Sequence, residues 1–132
     1  MFKPFKTLVV CAGLLAGLLS AGTVLAANLN FSAGAGIGTS PAPIQIGQSA
    51  TIDAVNTTSG GIFLEFTTGN ATVGTVNALK NQAAGGAVSL KVNNGTITTG
   101  TMALTSTNGT MTLISSDTGA GAGITIGTGG LN

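Results

Sequence analysis

The stretches "GGIFLEFTTGNATVGTVNAL" (residues 60–79) and "GAVSLKVNNGTITTGTMALT" (residues 86–105) are two copies of one pattern, 26 positions apart. Aligned without a gap, Ile62 falls on Val88, Leu64 on Leu90, Phe66 on Val92 and Gly69 on Gly95. Gly74-Thr75-Val76 falls on Gly100-Thr101-Met102. A looser third copy follows in "NGTMTLISSDTGAGAGITIGTGG", where Met111 and Leu113 take the apolar places and Gly127-Thr128 repeats the Gly-Thr pair. Each copy opens with a period-two run, the signature of a strand with one face buried: Ile62, Leu64 and Phe66 point one way, Phe63 and Glu65 the other. A turn containing Gly or Asn follows, then a second short Thr-rich strand.

This pattern predicts an all-β fold. Either each copy is one coil of a short β-solenoid, or the strands form a β-sandwich. The solenoid makes a specific claim: Glu65 and Lys91, equivalent positions one repeat apart, should lie about 5 Å from each other on neighbouring strands. Repeats are placed near 60–85, 86–107 and 108–130, within a β domain spanning 43–132. Residues 27–42 read as an extended segment or linker, because "ANLNFS" is followed by a Gly/Ala run and by Pro41 and Pro43, which suit only an edge or a connection.

The start of the chain has the layout of a secretory leader. Lys3 and Lys6 precede an apolar run from Leu8 to Leu19, and small residues lead to Val24-Leu25-Ala26, so residues 1–26 read as a signal peptide, helical in its apolar part and cut before Ala27. Cys11 leaves with it, so disulfide staples are not expected. Of the four lysines, Lys80 and Lys91 stay behind to face Asp53, Glu65 and Asp117, and the net charge turns from +1 to −1. So few charges exclude a nucleic-acid footprint, and contact with a membrane is expected only through the leader during export. Low net charge favours association.

The wording of the repeats, "GNATVGTVNAL", "NNGTITTGTMALTSTNGTMTL" and "GAGITIGTGG", resembles the coils of filamentous-haemagglutinin-like adhesins over residues 60–130. That resemblance implies a secreted β-solenoid with a role in surface attachment or biofilm. On the sandwich reading, the loose "ANLNFS" is similar to the donor strand of pilin and fimbrial filament subunits, with Leu29 and Phe31 as the side chains a neighbour's sheet would accept. Both folds leave exposed sheet edges. Monomers blunt such edges with lysines, prolines or inward charges. The final "GITIGTGGLN" has none, which makes Ile124 and Ile126 edge-strand candidates. The expected function is therefore a secreted, self-assembling filament subunit or adhesin at the cell surface. Its principal partner is another copy of itself, with surface glycans as a further class of partner.

Chemistry is scarce. No His occurs anywhere, zinc has no ligand set, and the chain reads as a non-enzyme without cofactors. Glu65 paired with Asp53 or Asp117 is the one arrangement that would suit a glycosidase, and Asp117 in "SSDTGAGAG" the one that would suit calcium. "GAGIG" and "GAGAG" lack the Lys and helix of a phosphate loop. A glycan- or ice-binding module is the alternative function. Trp and Tyr, the usual sugar platforms, are absent. The pairs Thr96/Thr98, Thr99/Thr101, Thr105/Thr107 and Thr110/Thr112 form no regular column along the repeats. Five Asn-x-Ser/Thr triplets, at Asn30, Asn56, Asn70, Asn94 and Asn108, are candidate glycosylation sites.

Overall fold

The computed structural model describes residues 7–11, 27–116 and 123–132. Among them every element is a strand and every pairing is parallel. This selects the solenoid over the sandwich, whose sheets would be antiparallel. About four coils stack on one another. The first contains β2 (Ala27–Ala33) and β3 (Ile44–Ile46), the second β4 (Ala50–Asn56) and β5 (Ile62–Phe66). The third contains β6 (Ala71–Val73), β7 (Leu79–Asn81) and β8 (Val88–Val92), the fourth β9 (Ile97–Thr98), β10 (Thr105–Ser106) and β11 (Met111–Ser115). A further coil begins with β12 (Ile124–Thr125) and the bridge from Leu131 to Leu104. The first sheet runs β2-β4-β6-β9-β12, with β7 and β10 alongside, and the second runs β3-β5-β8-β11.

Period-two alternation puts one side of each strand into a common core, and equivalent residues of successive coils form columns. Ile44, Leu64, Leu90 and Leu113 make one, Ile62, Val88 and Met111 another, Ile46, Phe66 and Val92 a third. Most of these side chains are fully buried, each contributing about 1.5–3 kcal/mol by leaving water. The partial exposure of Met111 and Leu113 marks the end of the stack. Close stacking also restricts the corners: a Cβ on Gly86 would collide with the carbonyl oxygen of Gly60, one coil below.

The offset of 26 holds from β5 to β8 and from β6 to β9. It drops to 25 from β7 to β10 and to 23 from β8 to β11, so coils differ in length and the gapless alignment fails between Thr72 and Lys80. The largest irregularity lies opposite β4. Between Ile52 and Ala54 that strand has only Asp53, whereas their partners Val73 and Leu79 are separated by Gly74–Ala78. The loop stands out from the sheet.

Two expectations about the N-terminal part require correction. Residues 27–42 are not a detached linker: β2 pairs with β4 over all seven residues, and Leu29, Phe31, Ala33 and Ile37 enter the core. Within residues 1–26, Thr7–Cys11 is a strand, β1, lying parallel to β2 with Thr7 opposite Asn28 and Cys11 opposite Ser32. The expected signal helix otherwise falls on residues 1–6 and 12–26, outside the described residues.

Candidate assembly surfaces

The two ends of the stack differ. At the C-terminal end no described residue covers the last side chains of the inward columns. Ile124 is 38% exposed, Ile126 44% and Leu131 51%, beside the half-buried Met111 and Leu113. Ile114, on the outer face, adds a further exposed apolar side chain. No charged residue occurs among the described residues from Ile97 onward. Solenoids that stay monomeric close such ends with a polar capping repeat. At the N-terminal end the equivalent side chains are covered: Leu29 is 1% and Phe31 3% exposed. The edge candidates Ile124 and Ile126 are thus exposed, whereas the donor-strand candidates Leu29 and Phe31 are seated in the chain's own core.

The charged side chains do structural work. Lys91 Nζ lies 3.1 Å from Glu65 Oε1, on the adjacent rung as the repeat predicted. Asn93 Nδ2 donates to the same oxygen at 2.9 Å, and Gln45 Nε2 donates to Oε2 at 3.4 Å. The hydrogen bonds from Asn93 and then Lys91 hold the Glu65 carboxyl below its ordinary range, against an opposing effect of burial that is smaller than either, with Gln45 adding a lesser contribution in the same direction. Asp53 occupies the other sheet, enclosed by the inserted loop. Its Oδ1 accepts from the backbone amides of Val76, Asn77 and Ala78 at 3.0, 2.7 and 2.9 Å. Glu65 and Asp53 face outward from opposite sheets with the core between them, so they do not converge as a glycosidase pair would. Asp117, the calcium and second carboxylate candidate, lies outside the described residues. Among the described residues no three metal-binding side chains cluster.

The sequons divide sharply. Asn70, Asn94 and Asn108 are exposed and Asn30 is half-buried, but Asn56 is 0% exposed. Its Nδ2 donates to Ser59 O (2.8 Å), Gly60 O (3.1 Å) and Asn81 Oδ1 (2.9 Å), and its Oδ1 accepts from Gly36 N (2.9 Å). Asn81, its partner one coil on, is equally buried and donates to Gly60 O at 3.3 Å. These two asparagines fasten three successive corners. The triplet Asn56-Thr57-Thr58 resembles a modification signal but serves the core.

One array escaped the sequence reading. Asn28, Thr51, Thr72, Thr98 and Thr125 are successive partners in register on the outer face of the first sheet, with Thr72, Thr98 and Thr125 exposed. A regular threonine column therefore exists. It went unseen because its offsets are 23, 21, 26 and 27, and no single slide of the sequence aligns all its members. Beside it, between the sheet and the inserted loop, lies a shallow groove of about 300 Å³ lined by Asn28, Asn30, Thr51, Thr72, Thr75 and Val76. No protein-family model matches this chain, and no curated protein or solved structure matches it either.

Proposed function

We propose that this chain is a secreted structural protein that assembles with copies of itself at the cell surface, as the subunit of a pilus- or fimbria-like filament or as a short adhesin. The observation that carries the reading is the open C-terminal end: a neutral, apolar cross-section of the core, bordered by strands with one unpaired edge. Burying such an end is favourable through both its apolar area and its free backbone groups. The haemagglutinin-like wording of the repeats points the same way, as does the leader-like start. Because Leu29 and Phe31 already sit in their own sheet, stacking of coil ends is favoured over donor-strand exchange. The test is negative-stain microscopy and fibre diffraction of the secreted protein. Filaments with a reflection near 4.8 Å along the fibre axis are expected. Monodisperse particles at every concentration would refute the reading.

The threonine column favours one alternative. An ordered row of hydroxyl and methyl groups at strand spacing is a surface suited to ice or to another regular lattice of hydroxyls. Thermal hysteresis measured on the monomeric protein separates this reading from the first, and its absence removes it.

A further inference from the structure

We infer that the outer edge of β2, held by β1 in the intact chain, is the docking edge for the C-terminal coil of a second copy. Removal of the leader then converts a capped subunit into a head-to-tail polymer. This rests on the self-assembly reading above and specifies which surfaces meet.

The strand β2 has two hydrogen-bonding edges. One is bonded to β4 over seven positions and the other to β1 over five, both parallel. Residues 7–11 belong to the segment that the lysines, apolar run and small-residue ending mark for removal. Cutting before Ala27 frees that edge and leaves its backbone groups without partners. Whatever replaces β1 has to arrive parallel, with apolar side chains at every second residue.

The C-terminal coil meets these conditions. Its core columns are the same columns that begin at β2. One runs through Ala50, Ala71, Ile97 and Ile124, with Ala27 preceding it in the backbone register, and ends on an exposed side chain. A second runs from Leu29 through Ile52 and Val73 toward Ile126, and a third from Phe31 through Ala54 and Leu79 to Leu104 and Leu131. A second copy stacked as the next coil would set its Leu29 and Phe31 over Ile126 and Leu131. Among the described residues the second sheet has four rungs against five in the first, so at each junction the first sheet is the continuous one and one rung of the second is left open. Residues 27–46 contain no charge, and neither do the described residues of the last coil, so nothing repels the two faces. Unlike faces joined by translation do not close into a ring or a dimer. They give an open filament, with an axial repeat of about 24 Å for the five rungs β2, β4, β6, β9 and β12 at strand spacing.

The experiment uses the full chain with a specific protease site placed between Ala26 and Ala27, followed by light scattering, negative-stain microscopy and fibre diffraction before and after cleavage. The intact chain should remain as small particles, and the cleaved chain should form filaments with the 4.8 Å reflection. Ile124→Lys with Ile126→Lys should raise the critical concentration after cleavage by about tenfold or more. Leu131→Lys serves as the milder variant if the double one fails to fold by circular dichroism. Equal filament formation before and after cleavage would overturn the role of β1 while leaving self-assembly intact. Unaltered filaments from the lysine variants would overturn the C-terminal coil as the docking partner. Absence of filaments after cleavage, or amorphous material without the reflection, would overturn the self-assembly reading itself.

Discussion

Replacing Asn56 with Ala tests the corner ladder, and its effect follows from the hydrogen bonds of one side chain. Asn56 makes four: three from Nδ2, to Ser59 O, Gly60 O and Asn81 Oδ1, and one received from Gly36 N. After substitution Gly60 O keeps Asn81 Nδ2, Asn81 Oδ1 keeps the amide of Ala83, and Ser59, at an exposed residue, finds water. The half-buried Gly36 N–H is left without its acceptor. At about 1 kcal/mol net for each bond lost, with part recovered by these substitutes, Asn56→Ala should destabilise the chain by about 2–4 kcal/mol. A domain of this size is stable by only about 5–15 kcal/mol, so the loss is large. Urea denaturation followed by far-UV circular dichroism, below the concentration of assembly, measures it. Asn94→Ala, at an exposed sequon, is the control and should change stability by less than about 0.5 kcal/mol. If the two variants behave alike, the buried asparagine pair does not hold the corners together and the reasoning is wrong.

The same ladder predicts where sugar can be carried: in a host that glycosylates secreted proteins, peptide mapping of the folded protein should find Asn70, Asn94 or Asn108 occupied and Asn56 bare. Glu65→Gln should cost about 0.2–1 kcal/mol at neutral pH, since its partner Lys91 is exposed. Because the folded carboxyl titrates below its unfolded range, this contribution is full above the unfolded range. It is lost as the pH falls through the folded value. Paired denaturation curves of the two proteins should therefore converge in acid, and a difference that persisted or grew there would contradict the assignment. Phe66→Ala, at the fully buried centre of its column, should lower stability by about 3–5 kcal/mol, read from the shift of the urea midpoint.

Much of the fold is legible in the letters wherever adjacent coils have equal length. From β5 to β8 the offset is constant, so the alternation, the facing residues and the Glu65–Lys91 contact all follow from one alignment. Legibility fails where the coils change length. The pairing of Ala27–Ala33 with Ala50–Asn56 uses an offset of 23 in place of the 26 of the gapless alignment, and its letters do not match those of the repeat, which is why the first coil reads as a linker. The loop Gly74–Ala78 hides the fact that β6 and β7 together match one strand. Asn56 is misleading for a different reason, since a buried hydrogen-bonding Asn and an exposed glycan acceptor are spelled alike. Of the assembly surfaces, Ile124 and Ile126 are visible from an unguarded final strand. That Leu29 and Phe31 are already covered is not.

By itself the sequence determined the kind of structure: strands with one apolar face, repeated at a spacing that lets each copy pair with the next. These are local properties of side-chain order along an extended backbone. The tertiary structure alone decided which strands share a rung across unequal coils, that Asp53 is enclosed by three amides, and that four distant threonines form one column. It also decided that, among the described residues, Leu29 and Phe31 are covered at one end of the core while Ile124, Ile126 and Leu131 are exposed at the other. Such features depend on how the chain closes each turn in space, and coil closure responds to the sum of turns and insertions between two strands, a quantity no short window of sequence contains.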